Sequence, residues 1–354
     1  VSTSDTLAMH LSDGIVDART SAFSAIIAVC GVGFAAWRAR AGDSDERSAH
    51  GVLDERTAPM AGLVAAFIFA VQMVNFPILP GVSGHLLGGA LAAILVGPYL
   101  GALCVSIVLV VQALLFADGG LTALGMNITN MALIGVAAGY LVARGLAPVL
   151  LPRSESGLAI LGFLAALIGT ICAAMGFVLE YAIGGAGSET LGAVTGYMLI
   201  THALIGVGEG VITAITVTAV ASARPDLVYL LRVTGRQRTG ARRVSVNQFL
   251  IGFAVIAFAV AGLLSYLASS APDGLDATTQ RGCTVIENTE RLEGECIAQR
   301  AEVHRFAASP LADYTINGNG ALTGVAGILG VAAAFAALTA TVRIVGARRR
   351  TPAG

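Results

Sequence analysis

Lysine is missing altogether: the 354-residue chain has 21 basic residues, and every one is Arg. Without Lys there is no G-x-x-x-x-G-K-[ST] phosphate loop and no Schiff-base nucleophile. Any ATP that drives this protein must be bound by another chain. Charge of either sign is scarce, at 12% of residues, against about a quarter in ordinary soluble domains. The net charge of −1 gives no electrostatic footprint for nucleic acid, and no such partner is expected. Cysteine is rare too. Cys30, Cys104 and Cys172 fall inside apolar blocks and read as buried structural thiols. The sequence contains no H-E-x-x-H stretch and no internal repeat.

What is abundant is apolar sequence. The chain is 56% hydrophobic with a mean hydropathy of +0.80, more than a soluble core of this size can hide. The apolar residues come in blocks near the roughly 20 residues that cross a hydrocarbon layer of about 30 Å. The pattern predicts an all-α, polytopic membrane bundle. Nine spans are read, over 19–37, 60–79, 84–98, 100–117, 127–143, 157–183, 194–221, 247–269 and 319–342. The third is short enough to be re-entrant. The first block, Ala18 to Trp37, lacks the basic flank and small-residue cleavage site of a signal peptide.

Arginine placement sets the expected orientation. With the N-terminus outside and the C-terminus in the cytoplasm, only Arg19, Arg281, Arg291, Arg300 and Arg305 of the 21 fall outside. Four of those five lie in one long loop, where the positive-inside rule is weakest. The basic stretch 224–246 reads as a cytoplasmic linker. It divides a bundle of about seven spans, 1–223, from a two-span hairpin, 247–354, whose outer loop runs over 270–318. The linker's Arg232–Arg243 cluster serves as a topology anchor and would also suit anionic lipid.

The histidines mark the candidate chemistry. His50 and His304 lie in polar loops and read as solvated. His10, His85 and His202 all fall at the outer ends of spans, at one depth. Neutral imidazole is the commonest protein metal ligand, and ionisable groups at membrane depth are functional candidates. His202 alone is better read as a hydrogen-bonded helix residue, and His10 with His85 as a metal pair. Met9 precedes His10. Val1 reads as the literal translation of an alternative start codon, so Met9 is expected to be the true start. Its amine, the His10 amide and the His10 imidazole would then form fused chelate rings, with His85 completing a planar nitrogen set. Such a set suits Ni²⁺ or Cu²⁺ rather than tetrahedral Zn²⁺.

These residues carry a family resemblance. Met9-His-Leu-Ser-Asp-Gly14 resembles the N-terminus of the CbiM/NikM family, the substrate-capture subunits of energy-coupling-factor nickel and cobalt transporters. Gln72-Met-Val-Asn-Phe-Pro77, Ser83-Gly-His-Leu-Leu-Gly-Gly89, Gln112 to Gly125 and His202 to Gly210 are similar to further stretches of that family. Pro272-Asp-Gly-Leu-Asp276 and Pro310-Leu-Ala-Asp-Tyr314 resemble the PDGLE motif and the following element of its small N subunit, with Asp in place of the final Glu. The resemblance implies a fused capture subunit that binds metal through Met9, His10 and His85. It also implies two kinds of partner, a transmembrane coupling protein and cytoplasmic ATPases. Ni²⁺ or Co²⁺ is then cargo, no cofactor is implied, and the chain itself is not an enzyme. The planar nitrogen set leans to nickel; a cobalt version supplying cobalamin synthesis shares nearly all the motifs.

Several other residues have two readings. Asn75, Asn127 and Asn130 either orient the ligating imidazoles or cap helices. Glu209, an acid inside an apolar span, lies on the same helix face as His202 and is expected to join it in a structural network. Asp118-Gly-Gly120 reads as a helix stop, with the guiding of cations as the alternative. Cys283 and Cys296 flank a short outer stretch where a disulfide is reasonable. The acids Glu287, Glu290, Glu293, Glu295 and Glu302 need no role beyond solvation. The rival classes are a membrane metalloenzyme built on the three histidines and a self-sufficient secondary transporter. The first lacks a nucleophile or base beside them, the second an internal repeat.

Overall fold

The computed structural model describes residues 10–41, 57–151, 156–185, 187, 189–235, 244–286 and 291–347. Met9 and His50 lie outside these residues, as do Glu287, Glu290 and residues 236–243 of the basic linker. In chain order the elements begin with α1 (Ala18–Ala41) and α2 (Thr57–Gln72), then a small hairpin, β1 (Phe76–Leu79) and β2 (Val82–Gly84). Next come α3 (Gly89–Val96), α4 (Pro98–Leu115) and α5 (Leu124–Asn127), which passes through a π-helical stretch, Ile128–Gly135, into α6 (Val136–Leu150). The long helices α7 (Gly157–Gly184) and α8 (Leu191–Ala223) follow, then short α9 (Tyr229–Val233). The C-terminal part holds α10 (Val246–Gly262), α11 (Gly274–Thr279), a hairpin β3 (Cys283–Ile286) and β4 (Arg291–Gly294), and α12 (Thr323–Ala347).

The chain is a multi-pass helical membrane protein. Among the described residues, seven helical stretches are long and apolar enough to cross a bilayer: Ala18–Arg40, Pro98–Leu115, Leu124–Leu150, Gly157–Gly184, Leu191–Ala223, Val246–Leu267 and Gly320–Gly346. Helix α8 shows how lipid inverts the usual pattern. Ile200, Val207, Val211 and Ile215 are exposed, whereas Thr201, His202, Glu209 and Thr213 are buried. Polar side chains turn inward because lipid offers them no partner.

The remaining two of the nine spans read from hydropathy differ. Helix α2 has 16 residues. Helix α3 has 8, about 12 Å of axial rise, and its whole length is buried. The reason is packing. Both helices are covered by protein, α2 by α12, α10 and α4, and α3 by α4 and α6. Their apolar character builds the main core, with Phe69, Ile68, Leu91, Ile94 and Leu95 fully enclosed.

Before α3 the chain is non-helical over residues 85–88. Buried backbone without a ladder must be satisfied by side chains. Glu209 does this from α8: its Oε2 accepts from Leu87 N at 3.0 Å and its Oε1 from Gly88 N at 2.9 Å. Gln72 Nε2 donates to Leu87 O at 2.9 Å from the end of α2. These bonds explain why an acid and an amide sit at membrane depth, and they fix the segment that begins with His85.

A second, smaller core gathers Leu11, Ile15 and Val16 against Met126, Phe177, Val178, Met198 and Ile297. It buries the N-terminal segment in one end of the bundle. Cys283 and Cys296 form a disulfide at the base of the β3–β4 hairpin.

Candidate metal-capture site

The segment after His10 is laid into the bundle by specific bonds. Asn127 holds Leu11 at both ends of its backbone, accepting from its N at 3.2 Å and donating to its O at 3.3 Å. Asp13 fills a nest of amides. Its Oδ1 accepts from Thr122 N (2.8 Å), Ala123 N (3.0 Å) and the Thr122 hydroxyl (2.7 Å), and its Oδ2 from Leu121 N (3.1 Å). The Gly119-Gly120 pair makes this approach possible. Gly119 has φ +82°, and a Cβ there would stand 2.7 Å from His10 Cβ. At Gly120 it would stand 2.1 Å from Asp13 Oδ1.

His10 and His85 thereby meet. Their ring centroids are 5.1 Å apart, and both line a cavity of about 60 Å³ with His202, Asn127, Asn130 and Asp273. That is several times the roughly 10–15 Å³ needed by one water. His85 Nδ1 lies 3.0 Å from Leu86 O. A carbonyl only accepts, so Nδ1 carries the proton and Nε2 is the nitrogen presented to the cavity. His10 Nδ1 lies 3.0 Å from Asp118 Oδ1. Its Nε2 is buried with no hydrogen-bond partner among the described residues. A buried orphan nitrogen carries a cost of about 1–3 kcal/mol, and a ligand that accepts its lone pair removes it.

Each imidazole has its own carboxylate. His85 Nε2 lies 3.3 Å from Asp273 Oδ2. Burial opposes a charge on His85, but the hydrogen bond and charge of Asp273 outweigh it and raise its pKa to about 9. Asp118 faces His10 and accepts from the Tyr314 hydroxyl at 2.6 Å. Burial opposes its ionisation, yet the charge and contact of His10 with the Tyr314 bond hold it below the usual carboxylate range. Burial and then Asp118 push the Tyr314 phenol well up, so it remains a donor. Gln112 Nε2 donates to that phenol oxygen at 3.0 Å. Ala117, Asp313 and Tyr314 all hold positive φ, at 54°, 54° and 56°. Left-handed backbone at non-glycine residues costs on the order of 1–3 kcal/mol each; here it aims the Asp118–Tyr314 contact.

Some expected roles are not met. Asn75 does not line the cavity; its backbone carbonyl accepts from Ser269 N at 2.9 Å. Asn130 lines the cavity, but its Nδ2 donates to Glu180 at 2.6 Å, and Ser24 donates to the same carboxylate at 2.8 Å. His202 and Glu209 do not share a network. His202 Nδ1 donates to Met198 O at 2.9 Å, while Glu209 serves the 87–88 backbone and Thr170. His304 is more than solvated, because its Nε2 donates to Gly119 O at 3.1 Å. Asp118 is more than a helix stop. Asp273, Tyr314 and Glu180 carry no site role in the sequence reading. Glu180 was findable, since it is an acid inside an apolar span.

A fused chelate at His10 needs Nδ1, the ring nitrogen near enough to the residue's own amide. That atom faces Asp118, so chelation requires the ring to turn or the carboxylate to yield. Among the described residues no group of three or more His, Cys, Asp or Glu forms a ready-made cage.

Comparison with known proteins agrees with this architecture. The family model for the cobalt uptake substrate-specific transmembrane region, CbiM, matches residues 10–227, and that for the PDGLE domain matches 247–347. A putative fused nickel transport protein NikMN of Archaeoglobus fulgidus is 34% identical over 326 residues, covering 91% of this chain and 94% of the relative. A cobalt transport protein CbiM of Geobacter sulfurreducens is 31% identical, covering 72% of each. A crystal structure described as a transition metal transporter superposes with a TM-score of 0.52 at 25% identity, covering 65% of this chain and all of the other.

Proposed function

The chain belongs to the CbiM family of cobalt-uptake transmembrane regions, extended by a PDGLE domain, and from that premise we propose that it captures Ni²⁺ or Co²⁺ between His10 and His85. It is a membrane component of nickel or cobalt transport rather than an enzyme. One observation carries the site assignment: two histidines 75 positions apart meet in one buried cavity, with His10 Nε2 unpartnered and His85 Nε2 turned inward. In this reading the N-terminus is outside and the ion enters from there. It exchanges waters for the two imidazole nitrogens, and a fused chelate through the Met9-His10 backbone forms if the His10 ring turns its Nδ1 from Asp118 to the ion. The nitrogen-rich shell favours nickel over cobalt in the general affinity order. With no Lys for a phosphate loop, the chain depends on a coupling protein and cytoplasmic ATPases for energy.

Titration calorimetry of the purified chain in nanodiscs tests the site. Wild type binds one Ni²⁺, and both His10→Ala and His85→Ala abolish binding. Unchanged binding in either variant contradicts the assignment. Energy-independent accumulation of metal by this chain alone would instead favour a self-sufficient transporter.

A further inference from the structure

We propose that Asp273, delivered by the PDGLE region, supplies a negative charge that lets the His10–His85 cavity hold a divalent ion, so that the capture site is shared by both parts of the chain. This inference rests on the cavity being the metal site. Imidazoles that ligate metal are neutral, so a doubly charged ion on two of them is balanced only by nearby carboxylates; Asp118, behind His10 Nδ1, meets one charge and leaves a second to be met. Such a charge is prohibitively costly unless paired. Asp273 is the one acid among the described residues that line the cavity, and it is only 3% exposed.

Its placement is built. Asp273 caps α11, and its Oδ1 accepts from Leu275 N at 2.9 Å and Asp276 N at 2.8 Å. That leaves Oδ2 to face His85 Nε2. The residues before it are tied to the hairpin that leads into His85. Ser83 N donates to Pro272 O at 2.8 Å and the Ser83 hydroxyl to Ala271 O at 2.6 Å. Gly274 lets α11 sit against α8, where a Cβ would come within 3.0 Å of Ile205 and Thr201. The turn before α11 is therefore bonded directly to the hairpin that leads into His85. Asp273 acts through His85 and the ion's charge and is a positioning residue.

The test compares ions of different charge. The full chain is studied in nanodiscs with Cys30, Cys104 and Cys172 changed to alanine, so that free thiols do not compete for silver. Binding of Ni²⁺ and Ag⁺ is measured for this background and for Asp273→Asn. Asn keeps a side-chain oxygen to cap α11 but carries no charge. Ni²⁺ affinity is expected to fall at least about tenfold more than Ag⁺ affinity, within the range that loss of an outer partner costs a metal site. Any easing of proton competition at His85 affects both ions alike and cancels in the ratio. Asp273→Glu, which keeps the charge, is expected to retain the parental Ni²⁺-to-Ag⁺ ratio even if α11 is disturbed. Equal changes for the two ions in Asp273→Asn, or loss of the ratio in Asp273→Glu, would overturn the inference while leaving the site assignment intact. Unchanged Ni²⁺ binding in His85→Ala would overturn both.

Discussion

The two walls of the cavity hold a histidine by different means. On the His85 wall the imidazole sits on unwound backbone inside the bundle, and its rigidity comes from helices on either side. Glu209 in α8 and Gln72 in α2 satisfy the 87–88 backbone. On the His10 wall the imidazole sits on the buried segment ahead of α1. Its hold comes from loops and the short helix α5: the Asp13 nest, the Asn127 clamp and the Asp118–Tyr314 pair. The contrast separates stability from access. Breaking the His85 wall should damage the fold and the site together, whereas loosening the His10 wall should affect metal affinity far more than stability.

The largest expected effect falls on the His85 side and is a pH response. In the metal-free protein the imidazole is protonated below about pH 9, and a metal needs it neutral. Binding therefore expels a proton at any pH below that value, and affinity falls as pH falls. One proton exchanged corresponds to about a hundredfold weaker Ni²⁺ binding at pH 6 than at pH 8. Calorimetry in buffers of different ionisation enthalpy counts the proton directly.

Glu209→Gln comes next. A carboxamide offers one oxygen where two backbone N–H groups and Thr170 now donate, so at least one buried donor is orphaned. The variant should lose about 1–3 kcal/mol of stability and weaken metal binding as well, read by thermal unfolding and calorimetry. Asn127→Ala, on the other wall, should reduce affinity by about 10-fold or somewhat more. It should barely shift the unfolding temperature, because Asp13 still anchors the segment. Tyr314→Phe should be mildest. Losing its bond to Asp118 is worth about 1 kcal/mol, or roughly a fivefold weaker Ni²⁺ dissociation constant. If Asn127→Ala costs as much stability as Glu209→Gln, the distinction between the walls is wrong.

Much of this was legible from sequence. The membrane bundle follows from apolar block length. His10 and His85 stand out through their motifs and common depth, and the Cys283–Cys296 spacing suits the bond that forms. The rest was hidden for physical reasons. Hydropathy does not separate lipid-facing from protein-facing apolar surface, so α2 and α3 read as spans although protein covers them. Asn75 sits beside a conspicuous proline motif, but the β1–β2 hairpin carries it away from the cavity. The partners of the two histidines depend on long returns of the chain. Asp273 reaches His85 from 188 positions downstream, and Tyr314 reaches Asp118 from 196. No local pattern encodes such a meeting. Glu209 was visible as a buried acid, but its partners are backbone amides of an unwound segment, which hydropathy reads as helix.

The central claim is that the captured ion sits between His10 and His85, and nickel K-edge X-ray absorption of the loaded chain tests it most directly. The account predicts a first shell of nitrogen or oxygen only, with outer-shell scattering from two imidazoles that drops to at most one in His85→Ala. Sulfur in the first shell, or an imidazole signal unchanged by His85→Ala, would contradict it.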